Sequence, residues 1–160
     1  MKKLLLLITL ILSISVLSYS QSMSLTAQGG YSWLNGVVGV EYQVGKIALS
    51  GGWFPAKMPG SKEIVSSFSG AVTFYGGNWN RSSYYISGGV ASAGYREEVS
   101  YNGGAWTDRI VAPMYIVMLG YKGSVGNTNA KLGFGYGWCD YGSAFTWELT
   151  IGWVLFANYD

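Results

Sequence analysis

Residues 132–138 read LGFGYGW, so a large side chain alternates with glycine at every position. In a β-strand the large residues would share one face and the three glycines the other. A helix would mix the two sets, because its period is 3.6 residues. The stretch therefore predicts a strand with bulk on one face and free space on the other. The large residues are Leu132, Phe134, Tyr136 and Trp138.

The same period of two recurs along the chain, and no segment has a convincing helical period. Several of the alternating segments reach the roughly 9 to 11 residues that a tilted membrane strand requires. Tight turns are expected at Asn35-Gly36, Gly45-Lys46 and Gly126-Asn127. We therefore predict an all-β fold with eight antiparallel strands, at roughly 24–34, 37–44, 46–54, 66–79, 82–97, 109–121, 128–139 and 144–157.

The polar face of these strands decides between a barrel in water and a barrel in lipid. A barrel in water would carry many charges on that face, but only 11% of all residues are charged, against about 25% in a typical soluble domain. The face holds mainly Gly, Ser, Thr, Ala and Gln, which suit the crowded lumen of a narrow barrel. We therefore predict a transmembrane β-barrel with its apolar face toward lipid. Segment 82–97 does not distinguish its two faces, and segment 109–121 is apolar on both.

The N-terminus has the pattern of an export signal. Lys2 and Lys3 precede an apolar run, and small residues stand just before Gln21. The run is shorter than the roughly 20 residues of a spanning helix. We expect residues 1–20 to be a cleaved signal peptide and residues 21–160 to be the barrel domain. Cleavage leaves eight basic and eight acidic residues, a balance that does not call for nucleic acid as a partner.

Connection lengths predict an orientation. With the N-terminus in the periplasm, the two longest links, 55–65 and 98–108, lie outside the cell, and the three periplasmic links are shorter, as in outer-membrane barrels. Aromatic residues fall near both strand ends, as interfacial belts would require. The expected outer belt is Trp33, Trp53, Trp138 and Trp147, and the expected inner belt is Tyr42, Trp79, Tyr121 and Tyr159.

The export signal, the strand count, the link asymmetry and the closing ELTIGWVLFANYD resemble the small eight-stranded outer-membrane β-barrels of Gram-negative bacteria, the class of the OmpX and OmpA transmembrane domains. Members of that class end on an aromatic residue that follows alternating apolar positions, a pattern matched by Ile151, Trp153, Leu155 and Tyr159, although Asp160 comes last. A weaker likeness, in YYISGGVASAGYREE, is to the conjugal transfer protein TraO of Bacteroidetes. The resemblance implies a location in the cell outer membrane, with outer-membrane lipid as the surrounding partner.

No catalytic, metal or cofactor site is predicted. The chain contains no histidine, the commonest general base and metal ligand, and the enzymes of the resembled class rely on one. The glycines of GFGYG lie inside a strand with no helix after them, so they are not a phosphate-binding loop. Cys139 has no second cysteine and no histidine to work with, and we expect a passive thiol.

Two sets of residues remain as candidates for function. Glu41, Lys131 and Glu148 are expected in the lumen, where they would pair with each other or with hydroxyls as a structural plug, or serve as a gate or proton path. The loop residues Tyr101, Trp106 and Asp108 are candidates for a contact surface toward an envelope or surface protein, because exposed aromatic residues are common at interfaces. Headgroup contact is the alternative for this loop.

The resulting prediction is a non-enzymatic, porin-like outer-membrane barrel with a structural, surface-interaction or adhesion role. Two alternatives stay open. One is a soluble secreted β-barrel that binds a small apolar ligand inside, and the other is an outer-membrane component of a conjugation or secretion complex.

Overall fold

The computed structural model describes residues 22–34, 36–57, 64–101, 104–140 and 142–158, and their side chains except at 56–65 and 93–111. The predicted signal segment 1–20 lies outside these ranges. Within them, no helix is long and apolar enough to cross a membrane. The strands are β1 (Met23–Tyr31), β2 (Val38–Val44), β3 (Ile47–Lys57), β4 (Ile64–Tyr75), β5 (Ser83–Tyr101), β6 (Gly104–Val125), β7 (Thr128–Cys139) and β8 (Gly142–Asn158).

The eight strands form a closed barrel. Each pairs antiparallel with the next, and β8 pairs with β1. Met23 lies opposite Asn158, so the start of β1 and the end of β8 are at one end of the barrel, which we call the terminal end. The β2–β3, β4–β5 and β6–β7 links are also there, and the other four links are at the opposite, distal end. The predicted all-β, eight-stranded antiparallel barrel is confirmed.

Side chains alternate between the lumen and the outer surface, as the period of two requires. In β7, Phe134 is 68% exposed and the lumen residue Lys131 is 2% exposed. The faces predicted for β1 to β4, β7 and β8 are confirmed by burial. The two undecided strands also alternate, with Tyr85 of β5 and Met118 of β6 buried inside.

Tight turns close two of the links at the terminal end. Gly45 and Gly126 adopt φ of +55° and +57°, a left-handed conformation that glycine reaches without strain. The turns predicted at Gly45-Lys46 and Gly126-Asn127 are therefore confirmed. At the distal end, β1 stops at Tyr31, and the link to β2 turns Leu34 into the barrel, where it is fully buried.

The β4–β5 link differs from the prediction. β4 ends at Tyr75, not at residue 79, so the link spans 76–82 and is not a short turn. The physical reason is Trp79, which turns into the barrel mouth and is 3% exposed, and therefore does not belong to the surface belt. Its backbone carbonyl accepts hydrogen bonds from Lys122 Nζ at 3.2 Å and Ser124 Oγ at 3.3 Å.

The β5–β6 hairpin is longer than predicted. Residues 98–101 and 104–108, expected in an outer loop, continue the two strands, which pair as far as Tyr101 and Gly104. β6 pairs with β7 only from Tyr115 onward, and β5 pairs with β4 only up to Ala91. The hairpin therefore extends beyond the closed wall as a two-stranded ribbon at the distal end.

The lumen has an apolar section and a polar section. The apolar section occupies the distal half and includes Leu34, Phe54, Ala91, Met114, Ile116 and Met118, all buried. In this part of the lumen, the inward-facing side chains of β5 and β6 fill the space. The polar section begins below them and continues to the terminal end.

Candidate functional site

The polar section of the lumen contains all the charged side chains that are buried in the described part of the chain. They are two acidic residues, Glu41 and Glu148, and two basic residues, Lys122 and Lys131. None is more than 2% exposed. Formal charge is therefore balanced inside the barrel, as it must be where water is scarce, because an uncompensated buried charge costs several kcal/mol (about 3–5).

Glu41 of β2 and Lys131 of β7 form an ion pair across the lumen. Lys131 Nζ also donates to Gln28 Oε1 at 3.2 Å. The hydroxyl of Tyr75 donates a bifurcated hydrogen bond to the Glu41 carboxylate, 3.0 Å from Oε1 and 2.8 Å from Oε2. The pair thus connects β1, β2, β4 and β7, which are not all neighbours in the wall.

Glu148 of β8 is bound by hydroxyl groups. Ser32 Oγ donates to Glu148 Oε2 at 2.7 Å, and Tyr85 Oη donates to Glu148 Oε1 at 3.1 Å. Ser32 follows β1, whereas Tyr85 stands on β5 across the barrel. The carboxylate therefore holds opposite walls together through hydrogen bonds to a charged acceptor, which are stronger than neutral ones.

Lys122 of β6 lies nearest the terminal end and has neutral partners. Its ammonium donates to Gln43 Oε1 at 3.0 Å and to the Trp79 carbonyl at 3.2 Å. Gln43 is held in turn by its own Nε2, which donates to the Gly45 carbonyl at 2.7 Å. These contacts tie the β2–β3 turn and the β4–β5 link to the lumen.

Tyr75 joins the two lysines. Lys122 and Lys131 are directly opposite each other in the β6–β7 register, which brings two positive charges together. The Tyr75 ring lies close to both, with its centroid 4.1 Å from Lys122 Nζ and 5.6 Å from Lys131 Nζ. The face of an aromatic ring attracts cations, so Tyr75 stabilises the lysine pair with its ring and Glu41 with its hydroxyl.

The structure brings two of the three predicted lumen residues, Glu41 and Lys131, into direct contact. Glu148 is held in the same section by Ser32 and Tyr85. The sequence prediction does not include Lys122, because the sixth predicted strand, 109–121, ends one residue before it. The signal that would have found it is the register of β6, in which residue 122 continues the inward positions of Met114, Ile116 and Met118.

The other candidate residues are in the β5–β6 ribbon. Trp106 lies opposite Val99, Asp108 lies opposite Glu97, and Tyr101 ends β5. The structure places their backbone in strands instead of in a loop. Their side chains lie outside the described residues.

The described residues contain no candidate metal site. No group of three or more Cys, Asp or Glu side chains in the described ranges could hold a metal ion, and histidine does not occur in the chain. Cys139 is half-buried at the end of β7, and its thiol donates to the Gly142 carbonyl at 3.4 Å. The arrangement in the lumen is one of paired charges and hydrogen bonds that hold the walls of the barrel together.

Comparison with known proteins supports the architecture. No family model and no curated relative matches the chain. Among solved structures, the N-terminal β-barrel domain of Pseudomonas aeruginosa OprF superimposes with a TM-score of 0.51. The two chains share a fold. They are 17% identical over 84% of this chain and 97% of that domain, so the likeness concerns architecture alone. The sequence likeness to TraO stays a prediction.

Proposed function

We propose that this chain is a non-enzymatic barrel of the outer membrane of a Gram-negative bacterium, with a structural, surface-interaction or adhesion role. The observation that carries the proposal is the inverted distribution of polarity. Charged and hydroxyl side chains are buried in the lumen, while Val, Leu, Ile, Phe, Tyr and Trp side chains cover the outside. A monomer in water rarely exposes an apolar surface of this extent.

Aromatic contacts on the outer surface support the same proposal. Tyr31 and Trp147 stack with ring centroids 4.4 Å apart near the distal end, and Tyr84 and Tyr121 pack edge to face at 5.2 Å near the terminal end. Amphipathic rings at two levels are typical of the two interfaces of a membrane. In the proposed orientation the terminal end faces the periplasm.

The lumen in this proposal is a plug and not an open pore. Eight strands leave an interior only wide enough for side chains. Leu34 and the apolar section fill the distal half, the charged network fills the middle, and Trp79 occupies the terminal mouth. The network then serves mainly to hold the walls together, and a porin-like conductance is not expected.

The distal ribbon is the proposed contact surface. It extends beyond the closed wall, and within the described part of the chain its outer edges have no strand partner from Ser92 to Tyr101 and from Gly104 to Met114. Unpaired edges of this kind are able to pair with another chain. We assign to this ribbon the predicted contact with an envelope or surface protein. The candidate contact residues are Tyr101, Trp106 and Asp108.

Cell fractionation combined with gel migration before and after heating tests the membrane assignment. We expect the chain in the outer-membrane fraction, with its first residue at Gln21 and a shift in migration on heating. Recovery in the soluble fraction without a heat shift would favour the soluble secreted barrel instead. Against that alternative, the apolar faces of the described strands point outward, and the apolar section of the lumen is already filled by its own buried side chains.

A shortened ribbon tests the contact surface and the role in a conjugation or secretion complex. Deleting 95–101 together with 104–110 removes residues in paired register and leaves Gly94 opposite Val111. We expect envelope proteins captured by the full chain to be lost with the shortened chain, while heat-modifiable migration is kept. Equal capture by both chains would remove the ribbon from the proposal.

A further inference from the structure

The barrel wall divides between β4 and β5. Their pairing stops at Ser69 and Ala91, although β4 continues beside β3 as far as Ile64 and β5 continues beside β6 as far as Tyr101. The two hairpins therefore separate on the distal side of this pair. We call the opening the β4–β5 notch, and it is lined by Phe68, Gly70, Val90, Ser92, Ala112 and Pro113.

The base of the notch is closed by a side chain. The backbone N–H of Phe68 donates to Ser92 Oγ at 2.9 Å, and Ser92 Oγ donates to the Phe68 carbonyl at 3.3 Å. One hydroxyl thus satisfies both backbone groups of Phe68 on the side where β5 no longer pairs. A peptide strand added at this point would find those groups already bonded, so strand addition is disfavoured here.

The remaining lining is neutral and mostly apolar. None of the lining residues whose side chains are described is ionisable, and Pro113 has no backbone N–H to offer. Ala112, which is buried, lines the opening with a small side chain. The notch has a volume of about 430 Å³, which is within the range of small-molecule sites.

The notch is continuous with the apolar outer surface. Phe68 pairs with the exposed Trp53 on one side, and Val90 pairs with the exposed Tyr115 on the other. Phe68 itself is 63% exposed at the rim. The opening therefore begins at the level of the distal aromatic residues and faces outward from the barrel, where the proposed function places the outer leaflet of a membrane.

We propose that the β4–β5 notch binds an acyl chain of a membrane lipid. This inference rests on the proposed function, because the occupant comes from the surrounding bilayer. Hydrocarbon is the chemistry that fits a neutral opening in which the backbone groups of Phe68 are already bonded and which is open toward the apolar surface. The bound chain covers Phe68 and Val90 and lies against Ala112.

Photolabelling of the full mature chain in phosphatidylcholine vesicles tests the proposal. A small fraction of the lipid carries a diazirine on one acyl chain, and labelled positions are mapped by mass spectrometry after irradiation. We expect labelling around Phe68, Val90 and Pro113 to exceed that of the exposed β8 residues Leu149 and Ile151 by about tenfold, the ratio that a preference of about 1.4 kcal/mol produces.

Two glycines provide matched variants. Gly70 and Gly88 are both exposed and have room for a side chain, but Gly70 lines the notch, whereas Gly88 pairs with Val72, farther toward the terminal end. We expect Gly70→Trp to reduce notch labelling to the level of β8 and Gly88→Trp to leave it unchanged. Uniform labelling of the natural chain, or equal labelling of the two variants, would overturn the proposal.

Flotation and heat-modifiable migration of the same vesicles separate this inference from the proposed function. A chain that does not float with the vesicles overturns both. A chain that floats, shifts on heating and is labelled uniformly overturns only the lipid site. A second copy of the chain in the notch would protect it from the label and give a dimer in detergent, and that result would also refute the lipid as occupant.

Discussion

The hydroxyl of Tyr85 occupies the space into which a side chain at Gly133 would extend. The same ring lies against Gly120 on the neighbouring strand, where an added Cβ would also collide with it. Tyr85 reaches Glu148 by crossing above these two glycines, and its hydroxyl donates to that carboxylate at 3.1 Å. Gly133 and Gly120 thus provide the space that Tyr85 needs to reach Glu148.

Adding one methyl group at position 133 should therefore destabilise the barrel. In Gly133→Ala the new Cβ would overlap Tyr85 Oη, so Tyr85 must move away from Glu148. Overpacking of this kind costs about 1–3 kcal/mol. We expect the free energy of unfolding in vesicles, measured by urea titration and tryptophan fluorescence, to fall by that amount.

Gly88→Ala is the matched control for this prediction. Gly88 is an exposed strand glycine with no atom within 4 Å of an added Cβ. The substitution should be neutral or slightly stabilising, because alanine loses less backbone entropy than glycine on folding. Equal losses at 88 and 133 would mean that the contact with Tyr85 is not the cause.

Removal of one partner of the central ion pair should cost more than removal of an exposed charge. Lys131→Met leaves the Glu41 carboxylate buried without its cation, which costs about 3–5 kcal/mol. Lys46→Met, the same substitution at an exposed turn residue, should change stability by less than about 0.5 kcal/mol. The same urea titration measures both.

A variant that lacks both charges of the ion pair should recover stability that the single variant loses. Combining Lys131→Met with Glu41→Gln removes both charges of the pair, and neutral replacements of a buried pair are often tolerated. We expect the double variant to be more stable than Lys131→Met alone. A double variant whose loss equals the sum of the two single losses would show that the pair does not interact across the lumen.

The Tyr75 hydroxyl should contribute separately from its ring. Tyr75→Phe removes the bifurcated hydrogen bond to Glu41 but keeps the aromatic face near Lys122 and Lys131. Hydrogen bonds to charged groups contribute about 1.5–3 kcal/mol, and we expect a loss in that range. Tyr84→Phe, at a residue that is 77% exposed, should stay within about 0.5 kcal/mol. Equal effects of Tyr75→Phe and Tyr84→Phe would mean that Tyr75 stabilises the barrel through its ring and not through its hydroxyl.

Alternation alone predicted most of the barrel. Period-two segments identified eight strands and the faces of six of them, because each strand buries a polar row inside and exposes an apolar row. The same rule did not separate the faces of β5 and β6, since the inward residues Ala91, Met114, Ile116 and Met118 are also apolar. In β5 and β6 the sequence therefore lacks the alternation of polar and apolar residues that distinguishes the two faces of the other strands.

Contacts between distant strands were not predictable in this way. Tyr75 and Tyr85 were found in strands, but their hydroxyl bonds to Glu41 and Glu148 depend on the shape of the closed barrel. The sequence predicts Trp79 in the inner aromatic belt, whereas in the folded chain it turns into the terminal mouth of the barrel. The loop predicted at 98–108 is wrong for 98–101 and 104–108, where β5 and β6 continue to pair.

Tryptophan quenching should distinguish the outer surface from the lumen at similar positions along the barrel. Trp153 is 60% exposed on β8 and Trp79 is 3% exposed, and both lie toward the terminal end. Single-tryptophan variants would keep one of them and replace the other six with Phe or Tyr. In vesicles of brominated phosphatidylcholine, contact with the acyl chains quenches indole fluorescence. We expect strong quenching of Trp153 and weak quenching of Trp79.

The comparison is informative because the two residues differ in face more than in depth. Each variant must first show heat-modifiable migration, so that an unfolded chain is not mistaken for a lipid-exposed tryptophan. Soluble acrylamide provides the reciprocal measurement, and it should quench neither residue strongly, because one faces lipid and the other is buried beside Lys122 and Ser124. Strong acrylamide quenching of Trp153 in vesicles would place the apolar face of the barrel in water and contradict the membrane assignment.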